Sequence, residues 1–168
     1  MIIALDVYYK DDTAKAVGVI FNKDAELPVS TAETYLHDIG EYIPGEFYKR
    51  ELPCLLQVLK QVDLNQIDLI IIDGYVYVDD DLKPGLGFKL WEAIGKKIPV
   101  IGVAKTSFAT NKSTIVEVLR GTSNNPLYIS VVGYDLSKAA ELIKGMPGKY
   151  RVPDILTVLD RQTKDNWG

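Results

Sequence analysis

Two short apolar runs in this chain carry a carboxylate where a buried strand should have none. Ile2-Ile3-Ala4-Leu5 is followed by Asp6 before Val7-Tyr8 resumes the strand pattern, and Leu69-Ile70-Ile71-Ile72 ends on Asp73. A third acid, Glu51, leads into Leu52-Pro53-Cys54-Leu55-Leu56. Desolvating an unpaired carboxylate is expensive. A chain that repeats this placement must gather the charges where something neutralises them. Hard divalent cations do so, because Mg²⁺ takes oxygen ligands, often carboxylates together with phosphate. The pattern points to metal-assisted phosphoryl chemistry.

At 168 residues, 47% of them hydrophobic, the chain has enough apolar material for one core. A single domain over 1–168 is expected. No run approaches the length of a membrane span. The first residues enter a strand directly, with no basic region and no cleavage site, so an intracellular, cytoplasmic protein is expected. The one cysteine, Cys54, lies in an apolar stretch and reads as a buried thiol. The net charge of −4 conceals an asymmetry: Lys96–Arg151 carries +6 and the remainder −10. A basic segment suits a phosphate backbone and an acidic one suits metal, although chance clustering on a solvated surface accounts for the charges equally well.

The order of elements follows from periodicity and turn residues. Ile2–Tyr8, Ala14–Asn22 and Leu27–Tyr35 read as strands joined by short turns, hence an antiparallel meander. Leu52, Leu55, Leu56 and Leu59 have helical spacing within 47–62, with Pro53 placing the start of the helix proper near Leu52. Asp68–Asp73 and Val100–Ala104 are short continuous apolar runs, as in parallel strands buried on both faces. Residues 75–86 read as a loop and Gly87–Lys96 as a helix. Ile115–Leu119 and Leu127–Val132 read as a strand pair, and Leu136–Lys144 and Asp154–Lys164 as helices. The expected class is α/β, a mixed sheet flanked by helices. This is the ribonuclease H-like order, in which the first and fourth strands are neighbours and Asp6 meets Asp73.

Four local patterns occur in a telling order: Ala4-Leu5-Asp6-Val7-Tyr8-Tyr9, Tyr42-Ile43-Pro44-Gly45 with Glu51 beyond it, Ile70-Ile71-Ile72-Asp73-Gly74, and Ile101-Gly102-Val103-Ala104-Lys105-Thr106. Together with Leu127–Tyr134 and Tyr150-Arg151-Val152-Pro153-Asp154, they resemble the endonuclease V family, which nicks nucleic acid beside deaminated adenine (hypoxanthine). The resemblance implies that Asp6, Glu51 and Asp73 are metal-binding carboxylates for Mg²⁺, with Mn²⁺ as a substitute. It implies that Lys105 is an active-site lysine contacting phosphate or water. Tyr42-Ile43-Pro44-Gly45 matches a strand-separating wedge. Gly85, Gly87, Gly102 and Gly133 are implied to shape the pocket for the flipped base. Counting from Arg151-Val152-Pro153, Asp160 stands where the family places a histidine near the metals, and is a further candidate ligand.

The implied activity is a nick on the 3′ side of inosine in DNA or RNA, by a protein acting as a monomer without a membrane. The pattern departs from the family after Asp73-Gly74, where two histidines are absent and Asp79-Asp80-Asp81 reads as a solvated acidic loop. The only histidine, His37, matches no motif. These departures leave two other readings open: a nucleic-acid-binding protein of the same fold that has lost cleavage, and a ribonuclease H-like nuclease for another structured substrate.

Overall fold

The computed structural model describes residues 1–37, 39, 48–107, 110–165 and 167. Strands β1 (Ile2–Lys10), β2 (Thr13–Phe21) and β3 (Ser30–Leu36) form the expected antiparallel meander. A two-residue connection joins β1 to β2, and Asp11 takes the left-handed conformation (φ 56°) that such a turn requires. β3 begins three residues later than the pattern suggested. Leu27 and Val29 are 71% and 61% exposed, so no face is buried there, and Pro28 has no N–H for a ladder.

Helix α1 (Tyr48–Leu59) leads through a 3-10 turn at Leu64–Gln66 to strand β4 (Leu69–Asp73). Helix α2 (Leu86–Ala93), strands β5 (Val100–Ala104), β6 (Val116–Val118) and β7 (Leu127–Val132), and helices α3 (Leu136–Gly145) and α4 (Asp154–Lys164) follow. The sheet order is β3-β2-β1-β4-β5-β7-β6. β1 and β4 are parallel neighbours, with Leu5 opposite Ile72, and β5 runs parallel to β4 with Val103 opposite Asp73. The carboxyl ends of β1, β4 and β5 therefore meet at one edge of the sheet. Ligand sites in open α/β sheets lie at such edges.

Alternation along the strands divides the core into two layers. Ile2 and Ala4 face α3 and α4 in one cluster with Val17, Val19, Ile71 and Ile101. Ile3 and Leu5 face the other layer, where Cys54, Leu55, Val58 and Leu59 of α1 and Leu86 and Leu90 of α2 pack. α1 starts at Tyr48 rather than near Leu52, and Pro53 lies inside it. One missing helical N–H is tolerated there because the buried face of α1 is anchored on the sheet. Glu51 thus sits in the first helical turn rather than in a leader segment.

Two buried cations hold α4 in place. Arg120, 5% exposed, donates from Nε to the Lys144 carbonyl and from Nη2 to Met146 (2.5 Å) and Gly148 (3.2 Å). Its Nη1 donates to Tyr150 at 2.8 Å and more weakly to Arg151. The guanidinium thereby gathers the segment from the end of α3 to the start of α4. Lys15, 2% exposed, donates at 2.7 Å to the Asp165 carbonyl, just beyond the negative end of the α4 dipole, with Glu33 at 3.6 Å. Arg120→Met strips the donors from several enclosed carbonyls. It is expected to lower stability by about 3 kcal/mol, read from the urea midpoint.

Candidate active site

Asp6, Asp73, Lys105 and Asp160 line one cavity at the sheet edge. Asp6 comes from β1 and Asp73 from the end of β4, where the parallel register places them side by side. Lys105 follows β5 directly, and its Nζ is 3.9 Å from Asp73 Oδ2. Asp160 is carried in by α4, on the cavity wall that also holds Leu156 and Leu159. Glu51 approaches from α1, close enough for its charge to act on both Asp6 and Asp73. The floor is apolar, with Val103, Leu127 and Val152 beneath the carboxylates.

That setting shows in the acid strengths. Burial, then the charge of Asp73, raises the Asp6 carboxyl to about 7 against the hydrogen bond it accepts from Val7 N–H (2.9 Å). Burial, then Asp6 and Asp73, raises Glu51 to about 7 as well. Asp73 is also raised, chiefly by desolvation, with Lys105 opposing. Lys105 is the cation that compensates Asp73 directly, because the second amine, Lys164, is 3.0 Å from Asp160 in an i,i+4 pair. Among the described residues, no three His, Cys, Asp or Glu donors already stand close enough to cage an ion. The donor set nevertheless fits a hard divalent cation: carboxylate oxygens that repel one another, with too little positive charge nearby.

The backbone around Lys105 is braced from two sides. Arg151 Nη2 donates to the Lys105 carbonyl (2.5 Å) and to Pro126 (2.8 Å), and the Tyr75 hydroxyl donates to Thr106. The segment after Asp73 is likewise fixed, since Val76 N–H donates to buried Ser130 Oγ at 3.0 Å. Three of the four candidate pocket glycines border this segment. A Cβ on Gly102 would come within 2.5 Å of the Gly74 carbonyl oxygen, one on Gly87 within 2.8 Å of Val76, and one on Gly85 within 2.8 Å of the Tyr75 carbonyl oxygen. Gly133 is not brought to the site. It follows the far end of β7, beside Pro99 and Trp91, at the opposite edge from Lys105.

Tyr42, Ile43, Pro44 and Gly45 lie outside the described residues. Asp79-Asp80-Asp81 is not a freely solvated loop. Asp79 accepts the N–H groups of Asp81 and Lys83, closing a turn. Asp80 accepts those of Lys112 and Ser113 and the Ser113 hydroxyl, which hold its carboxyl below the usual range. This loop is a buckle between 79–83 and 110–113. No local pattern announces it, because the partners of Asp80 lie some thirty residues away. The bracing role of Arg151 also escapes a local reading, although its position just before Val152-Pro153 is a visible signal. His37 stands 3.3 Å from Thr13 Oγ1, and Cys54 is buried, its thiol pushed up to about 11 by burial and by Glu51. No helix among the described residues is long and apolar enough to cross a membrane.

Comparison with known proteins adds an independent line. The endonuclease V family model matches residues 1–117. That span includes Asp6, Glu51, Asp73 and Lys105 and ends before Asp160. An endonuclease V of Xanthomonas axonopodis pv. citri is 32% identical over 111 residues, covering 65% of this chain and 45% of the relative. The match thus spans about half the length of that relative. Among solved structures, the catalytic domain of human endonuclease V superposes with a TM-score of 0.77 at 20% identity, covering 98% of this chain and 80% of the other. An endonuclease V of Ciona intestinalis, in complex with a 24-mer DNA containing an inosine followed by a ribo-adenosine, superposes with a TM-score of 0.74 at 18% identity, covering 97% and 83%. At these identities the structural likeness shows the fold, which is ribonuclease H-like.

Proposed function

This chain belongs to the endonuclease V family, and on that premise we propose that it is a divalent-metal-dependent endonuclease cutting inosine-containing nucleic acid. The reading is carried by one observation: Asp6, Asp73, Asp160 and Glu51 converge with Lys105 where the parallel strands end. Asp6 and Asp73 would hold Mg²⁺ or Mn²⁺, with Glu51 and Asp160 completing the oxygen set. When bound, such an ion polarises the phosphoryl oxygen and acidifies a coordinated water. Lys105 supplies a positive point charge beside Asp73, suited to the charge that develops on the phosphate. The bracing by Arg151 and the Tyr75 hydroxyl keeps that ammonium at the cavity wall. Opening of the strand falls to Tyr42-Ile43-Pro44-Gly45 on the strength of the sequence resemblance.

The substrate follows from the family and from the inosine-containing DNA in the Ciona complex. End-labelled strands carrying one deoxyinosine or one inosine, beside undamaged controls, test it with Mg²⁺ or EDTA present. The expected result is metal-dependent nicking on the 3′ side of the lesion, leaving a 5′-phosphate and a 3′-hydroxyl. The preferred strand identifies the sugar. Binding without nicking by folded protein would overturn the enzymatic reading. It would favour the binding-protein alternative, for which the Asp160–Lys164 ion pair is the supporting observation.

A further inference from the structure

We propose that Tyr8, Tyr35 and Trp167, with Lys10 and Lys164, form a stacking platform for single-stranded nucleic acid beside the carboxylates. The occupant, the strand leading away from the scissile phosphate, rests on the nuclease reading; the platform itself stands on its own geometry. Asp6, Tyr8 and Lys10 alternate onto one face of β1. Tyr8 is thus about 7 Å beyond Asp6 along the strand, the rise of about two stacked nucleotides. Across the sheet, Tyr8 pairs with Lys15 and Lys15 with Tyr35, a row spanning three strands on that face. Trp167 lies on the row, its ring 6.2 Å from Tyr8 and 5.8 Å from Tyr35 in edge-to-face contact. Its indole N–H donates to the Thr163 carbonyl at 2.9 Å, which ties the ring to α4.

These residues go beyond what holds a sheet corner together. Tyr8 and Tyr35 remain 40% and 36% exposed, next to a charged site rather than over an apolar one. Each of the three rings has an ammonium near a face: Lys164 at 5.7 Å from Tyr8, Lys10 at 5.8 Å from Trp167, and the buried Lys15 at 5.7 Å from Tyr35. Aromatic faces and neighbouring cations are the two components of sequence-tolerant single-strand binding, the rings taking bases and the amines phosphates. Among the described residues, Lys10, Tyr35, His37 and Trp167 also border an open cavity of about 460 Å³. That volume is within the range of small-ligand sites, about 300–1,000 Å³. Asp11 and Asp12 close its outer rim and end the track at the hairpin tip.

The experiment uses Trp91→Phe protein, in which Trp167 is the sole indole; Trp91 packs on Phe88 at 5.5 Å, away from the carboxylates. Oligothymidylate is titrated in EDTA, so that binding is read without cleavage, beside a duplex of equal length and thymidine monophosphate. Quenching of Trp167 emission by the oligomer, and much less by the duplex, is expected. Tyr8→Ala should raise Kd about tenfold, and Lys10→Ala should lower the salt slope by about one. Tyr8→Leu preserves bulk without the ring and should weaken binding as Tyr8→Ala does; its melting curve separates stacking from folding. Unchanged Trp167 emission, equal quenching by duplex, or a Kd within twofold of the parent in Tyr8→Leu overturns the platform. Nicking of an inosine strand without any Trp167 response would overturn the platform and spare the nuclease, whereas the converse would do the reverse.

Discussion

Replacing Asp6 by asparagine is expected to lower metal-dependent nicking at least about a thousandfold, a barrier increase of about 4 kcal/mol, while the fold stays intact. The geometry separates the two roles. Among the described residues, the Asp6 side chain accepts its hydrogen bond from Val7 N–H, which an amide oxygen accepts equally well. What asparagine removes is the negative charge, for which Asp73, Asp160 and Glu51 are already competitors. The variant should therefore melt no lower than wild type at pH 8 without metal, and above it if repulsion dominates. A proposed metal-binding acid that destabilises its own fold fits the expected trade-off between activity and stability. Single-turnover cleavage measured beside the melting temperature checks both halves, and retention of more than about a tenth of wild-type activity, a barrier change under about 1.4 kcal/mol, would remove Asp6 from the proposed metal set.

The same crowding makes stability depend on pH in the opposite sense to most salt-bridged proteins. Asp6 titrates at about 7 in the folded chain against an ordinary 3.8, and Glu51 at about 7 against 4.5. Between those limits the folded state binds more protons than the unfolded state, so the free energy of unfolding falls as pH rises. The stabilising contribution is complete below about pH 4 and lost above about pH 7. Raising a carboxyl pKa by one corresponds to about 1.4 kcal/mol. Because the acids titrate as a coupled set, the individual contributions do not simply add, and the span is of order 4 kcal/mol. The melting temperature without metal should drop by about 10 °C from pH 5 to pH 8. Added Mg²⁺ at pH 8 should restore most of it, because a cation that binds only the folded carboxylates stabilises that state. Asp6→Asn combined with Glu51→Gln should flatten the profile; a steep profile in that variant would place its origin elsewhere.

Much of this arrangement was legible because it obeys local rules. Continuous apolar runs declared β4 and β5 as buried parallel strands, and the carboxylates that broke or ended such runs marked Asp6 and Asp73. Their adjacency followed from element order. What stayed hidden depends on contacts far apart in sequence. Nothing local distinguishes Arg120 from a surface arginine; its five carbonyl acceptors all lie between residues 144 and 151. Nothing local marks Lys15 as buried either, yet the end of α4 covers it. Pro53 misled in another way, since proline usually marks a first turn and here lies inside α1. Trp167, beyond the end of α4, carries no local sign that it packs on Tyr8 and Tyr35.

The bond from Lys15 to the Asp165 carbonyl joins residues 150 positions apart. Contacts of such span close late in folding, after the shorter loops have formed, since ordering the intervening chain must come first. Asp6 lies in the first hairpin of the chain, closed by a two-residue turn, whereas Asp160 reaches the site only when α4 docks. A partly folded chain in which α4 has not docked therefore carries the hairpin acid without its partner, and the proposed metal set is complete only once that closure has formed. Heating should run the sequence backwards, with α4 lifting away first and cleavage failing before the sheet melts.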